Sequence, residues 1–167
     1  MKNKCGYNKK DLQLIRNFIK EIDKDIVIRI APNQEFYCQL PLGKIYLGKK
    51  KIDDIQFYWY NWYQEQEFFS KEEINLRMIT LLHEIGHFVT FDLNEWLDRN
   101  KKVPQLTEKY CKGELTLKEL NFAYWNLPNE YKATEWAVDY YKRNKEKCDR
   151  LAKMINFKYV FTSEERV

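Results

Sequence analysis

The segment Thr80 to Val89, TLLHEIGHFV, limits what this chain can become more than any other stretch of it. Ile74, Met78, Leu81, Leu82, Ile85 and Val89 recur at helical spacing, which predicts one long, half-buried helix from Lys71 to about Thr90. Ser70 and Glu73 form a capping box ahead of it, the serine accepting from the third helical amide and the glutamate reaching back. A helix of that kind needs a core to lie on, and side chains four residues apart stand one above the other on it. His83 and His87, the chain's only two histidines, therefore face the same way.

Two imidazoles one turn apart can grip a single cation, since zinc binds ring nitrogen at about 2.0–2.1 Å. Glu84 is turned about 100° from His83 by helix geometry, beside the position a metal would leave open. A carboxylate there can take a proton from water whose pKa zinc has lowered to about 7. Thr80, Leu81, Leu82, Ile85, Phe88 and Val89 are uncharged, as a site set against a core requires, and Gly86 permits a neighbouring backbone to come close.

A third protein ligand has to be Glu, Asp or Cys, because no histidine remains. In TEWAVDYY, Glu135 and Asp139 are four apart on a predicted helix. Glu135 is the first candidate ligand, with Glu130 next and Cys111 behind. Asp139 is placed to accept the ring N–H of a ligand histidine and so fix its tautomer.

The rest of the chain reads as α+β, with an N-terminal helix and a small antiparallel sheet ahead of a helical part. Residues 11–23 have helical spacing; DIVIRIAP is a short strand stopped at Pro32; EFYCQL and KIYLG bracket Pro41–Gly43 as a hairpin. DDIQFYWYNWYQEQ is read as a helix. DLNEWLDRN precedes a connector containing Pro104, and a second capping box, Thr116 and Glu119, opens TLKELNFAYWNL. NEYKATEWAVDYYKRNKEKCDRLAKMI follows as one helix or two. The whole of 1–167 is read as one domain, with 88–128 a helical insert between the two metal-binding helices. A chain of this length buries roughly two-thirds of its unfolded surface and needs no disulfide scaffold.

Cys5, Cys38, Cys111 and Cys148 form no C-x-x-C pair, and the basic N-terminus is followed by an amphipathic rather than an apolar stretch. The expectation is reduced thiols in a cytoplasm, with no membrane segment. Net charge is +4, but acids interleave the lysine patches at 49–51 and 142–153, which favours a solvated face over nucleic-acid contact. The aromatic clusters FYWYNWY and FAYWN are expected in core packing. Tyr131, Tyr140 and Tyr141 are candidate donors to a developing oxyanion.

HEIGH followed downstream by Glu135, Val138, Asp139 and Tyr141 resembles the ImmA/IrrE-type zinc metallopeptidases, a compact gluzincin family with H-E-x-x-H and a later acidic helix motif. The resemblance implies one zinc ion on His83, His87 and Glu135, with Glu84 as general base and Asp139 beside a ligand histidine. It implies hydrolysis of a protein substrate, such as a regulatory protein of a mobile element, and makes GKIYLG an edge strand above the cleft. The alternative function is a catalytically silent zincin-like binding module, an antirepressor or inhibitor with structural zinc or none.

Overall fold

Asn8 opens the first helix of the computed structural model, which describes residues 5–31, 36–52, 68 and 75–159. The Asn8 side chain accepts from the Asp11 amide and the Asp11 carboxylate accepts from the Asn8 amide, both at 2.9 Å, starting α1 (Lys9–Ile22) two residues before the expected boundary. Ile15, Phe18 and Ile19 carry its buried stripe. Asp11 also takes a 2.8 Å ion pair from Lys50 while itself only 4% exposed, so one carboxylate caps the helix and ties it to the end of the sheet region. Asp11→Ala is therefore expected to cost about 2 kcal/mol in urea unfolding, through the lost cap and a Lys50 ammonium left largely buried without its partner. In a Lys50→Met background the same substitution should cost only the cap, about 1 kcal/mol. Equal losses in the two backgrounds would show that the ion pair adds nothing.

The sheet combines β1 (Val27–Ile30), β2 (Tyr37–Gln39) and β3 (Lys44–Leu47) in the order β1-β3-β2. β2 and β3 form the expected antiparallel hairpin, with Tyr37 opposite Tyr46, Cys38 opposite Ile45 and Gln39 opposite Lys44. A 3-10 turn at Leu40–Leu42 joins them and ends at Gly43, whose φ of +59° suits glycine. β1 runs parallel to β3, so the sheet is mixed rather than antiparallel. That arrangement makes β3 the central strand, where Ile45 and Leu47 are fully buried. GKIYLG is thus not an edge; among the described strands the edge on this side is β2. A second, two-stranded parallel sheet pairs β4 (Lys51–Ile52) with β5 (Lys158–Tyr159), the last described residues of the chain. The helix expected over DDIQFYWYNWYQEQ, with the FYWYNWY cluster, lies outside the described residues.

The helix carrying both histidines is α2 (Leu76–Val89). It starts at Leu76 rather than Lys71: Asn75 has extended dihedrals and its side chain accepts from the Met78 amide at 2.9 Å, which is an N-cap. The Ser70–Glu73 box lies outside the described residues. From Leu76 to His87 every residue of α2 except Thr80 is buried. The helix packs between the sheet and the long helix α5 (Pro128–Arg143).

Between these two run α3 (Leu93–Cys111) and α4 (Leu117–Trp125), and α6 (Lys145–Ile155) follows α5 after a break at Asn144. The architecture is α+β, with six helices among the described residues. Pro104 lies inside α3 instead of ending it. The proline removes the amide partner of the Asn100 carbonyl, but Asn100 is exposed and α3 buries no residue, so water can satisfy that group. The Thr116–Glu119 box opens α4 as read, with Thr116 donating its amide to Glu119 at 2.8 Å. All four cysteines are free thiols, and no helix among the described residues is long and apolar enough to cross a membrane.

Candidate metal centre

His83 and His87 project from consecutive turns of α2, both buried, with ring centroids 4.6 Å apart and planes at 78°. The Nε2 atom of each lies 3.3 Å from the same oxygen, Oε2 of Glu130. Leu127 and Pro128 set the start of α5, which places Glu130 in its first turn, where helix amides favour an anion. Glu130 is only 2% exposed.

The other carboxylate oxygen is held from the insert side. Oε1 accepts from Arg99 Nε at 2.8 Å, from the Tyr124 hydroxyl at 2.9 Å and from Asn129 Nδ2 at 3.1 Å. Arg99 also donates to the Tyr124 oxygen at 2.8 Å. Three donors on one oxygen leave Oε2 free to face the imidazoles. Burial would raise the Glu130 pKa, but hydrogen bonds and charge interaction with His83 and His87 outweigh it and hold the carboxyl well below the usual range. Burial and the Glu130 charge push the Tyr124 phenol up, so it stays a donor.

One turn after Glu130, the Thr134 hydroxyl lies 3.0 Å from His83 Nδ1 in a buried contact. A hydroxyl can donate or accept, so it fixes the ring whichever nitrogen carries the proton. This is the orienting role expected of Asp139. Asp139 is instead exposed and pairs with Arg143, one turn on.

Glu135 is likewise exposed and stands outside the cluster. The acid facing the histidines is Glu130, a correction with a simple geometric cause. The buried stripe of α5 is Glu130, Ala133, Thr134, Ala137, Val138 and Tyr141, and Glu135 is rotated about 100° from Thr134, off that stripe. The small and apolar residues at 133, 137, 138 and 141 were the available signal, because they put position 130 in phase and position 135 out of it. Cys111 is exposed at the end of α3.

The crossing of α2 and α5 is close because of Gly86. A Cβ at that position would lie 2.5 Å from the Ala133 carbonyl oxygen and 3.0 Å from its Cα, so the close approach expected at this glycine is made by α5 itself. Ala133 is one turn beyond Asn129, and the contact seats the first turn of α5 against the histidines.

A cleft of 350 Å³ opens beside the cluster, lined by Cys38, Leu42, His87, Trp96, Arg99 and Glu130 among others. Glu84 is buried on α2, and its carboxylate, a His87 nitrogen and the Cys38 sulfur lie within 4.8 Å of one another. Burial first, then the nearby Glu84 and Glu130 carboxylates, push the Cys38 thiol pKa up. The three tyrosines considered as oxyanion donors lie elsewhere. Tyr141 is in the core between the Asn75 amide and Asp149, Tyr140 stacks on Trp136, and Tyr131 packs on Phe68. The FAYWN cluster also departs from simple core packing. Trp125 packs partly buried against the core and Tyr124 serves Glu130, while Phe122 is 38% exposed.

His83, His87 and Glu130 form a group able to hold a metal ion. Two imidazoles and one carboxylate are a donor set suited to zinc, and tetrahedral bonds of about 2.0–2.1 Å would separate neighbouring ligand atoms by roughly 3.3 Å. The two nitrogen-to-oxygen separations found here are 3.3 Å each. Comparison with protein-family models, curated proteins and solved structures finds no match for this chain, so the ImmA/IrrE resemblance rests on its motif residues alone.

Proposed function

We propose that the chain is a zinc-dependent metallopeptidase of the ImmA/IrrE type that hydrolyses peptide bonds in a protein substrate, with a regulatory protein as the substrate class the motif suggests. The observation that carries this reading is the convergence of two imidazoles from one helix on a single buried carboxylate oxygen, beside a cleft and next to a second glutamate. His83, His87 and Glu130 would hold the ion. Zinc bound there would polarise the scissile carbonyl and make water acidic enough to be deprotonated near neutral pH.

The remaining work belongs to side chains of this chain. Glu84 takes the proton of the attacking water and returns it to the leaving amine. Thr134 keeps the His83 ring in orientation, while Arg99, Tyr124 and Asn129 hold Glu130 with Oε2 toward the histidines. Arg99 is the one cationic side chain lining the cleft among the described residues, which suits it to a substrate carbonyl or carboxylate.

Glu84→Gln is expected to retain zinc and lose hydrolysis, whereas His83→Ala loses both. Proteomes of cells expressing the native and Glu84→Gln forms should differ by defined cleavage products of a small number of proteins. Undiminished cleavage of the identified substrate by Glu84→Gln would remove Glu84 as the base.

One observation favours the second reading, a catalytically silent zincin-like binding module. The Cys38 sulfur lies near Glu84 and His87, where a further ligand would close the site.

A further inference from the structure

His87 belongs to two donor groups at once. One triad of donor atoms within 4.8 Å of one another joins His87 to His83 and Glu130, and a second joins His87 to the Cys38 sulfur and a Glu84 oxygen, with His87 the residue common to both. Cys38, His87 and Glu130 also line one cleft. The cysteine is not a loop residue that happens to pass by. It is the middle residue of β2, fixed opposite Ile45 of the central strand, and β2 packs directly against α2. The sheet thus sets a soft sulfur donor on the cleft side of the two histidines, the side from which water or a peptide has to approach.

Resting on the metal centre proposed above, we infer that Cys38 is a displaceable fourth ligand, whose thiolate closes the site in the resting protein. Zinc accepts thiolate together with imidazole and carboxylate, and four protein ligands give a closed site where three leave an open one. On coordination a sulfur lone pair would go to the cation and the S–H proton would leave to solvent, so the thiolate fills the position that water would otherwise take. Release of the sulfur takes a proton back from solvent and frees the fourth position for water. The same chain is therefore latent while Cys38 is bound and competent once it is displaced, which joins the catalytic and the silent readings in one site.

The test loads the full-length protein with Co(II). Visible ligand-field bands report that the ion is bound, and a near-ultraviolet sulfur-to-cobalt charge-transfer band reports a thiolate ligand. The wild type and Cys111→Ser should show both signals. Cys38→Ser should keep the visible bands and lose the charge-transfer band. Visible bands without the charge-transfer band in the wild type would overturn the role of Cys38 while leaving the metal centre standing, and this outcome needs no variant to fold. A charge-transfer band that disappears in Cys111→Ser and persists in Cys38→Ser would assign the sulfur to the wrong cysteine and overturn it too. No visible bands at all, with no zinc retained on equilibrium dialysis, would sink the metal centre itself and this inference with it.

Discussion

Glu130→Gln is expected to weaken zinc binding by at least about 100-fold, close to 3 kcal/mol, while Glu135→Ala leaves it unchanged. The amide keeps the volume of the carboxylate and can still accept from Arg99, Tyr124 and Asn129, so the first turn of α5 should hold its place. It supplies no anionic oxygen to the cation, and its NH2 can be turned toward the imidazoles where Oε2 now sits. Glu135, one residue past Thr134, is exposed and outside the group. Competition against a chromophoric chelator at fixed pH measures both variants directly. Circular dichroism of the metal-free proteins separates a lost ligand from a lost fold. Strong zinc binding by Glu130→Gln, or its loss in Glu135→Ala, would return the ligand role to the residue that the motif resemblance implies.

The contrast between those two glutamates also shows how far the sequence could be read. Three features local to one helix were legible: the common face of His83 and His87, the capping box at Thr116 and Glu119, and the tolerance of Gly86 for a close neighbour. Each of these follows from spacing and local hydrogen bonding. Choosing between Glu130 and Glu135 needed the rotation of α5 about its own axis, which a motif match does not give. The buried run Ala133, Ala137, Val138 and Tyr141 does give it. Other misses share the same origin. Whether β3 lies at an edge or in the middle is decided by β1 docking parallel to it, a long-range choice that buries Ile45 and Leu47 completely. Pro104 reads as a helix end only if the helix is buried, and α3 is not. The supporting bonds from Arg99 and Tyr124 to Glu130 join residues 31 and six positions apart and carry no local signature.

Gly86→Ala should give the second large effect, and its sign is the informative part. In an exposed helix the change would stabilise by about 1 kcal/mol, because alanine is the better helix former. Here the added methyl would meet the Ala133 carbonyl oxygen at 2.5 Å and its Cα at 3.0 Å. Both are backbone atoms of a neighbouring helix, with no flexible side chain to swing aside, so α2 and α5 have to separate. Overpacking of this kind costs about 1–3 kcal/mol, more than the propensity gain can offset. The separation also moves Glu130 away from two imidazoles it now meets at 3.3 Å, and metal sites lose about 10–100-fold in affinity when the groups that position their ligands are disturbed. The variant should therefore unfold at lower urea and bind zinc more weakly. Added zinc should restore less of the lost stability than it does for the native chain, since stabilisation by a ligand scales with its affinity for the folded state. A Gly86→Ala protein more stable than the native one, with zinc affinity intact, would mean that the two helices do not touch at this residue and that the seating of Glu130 has another cause.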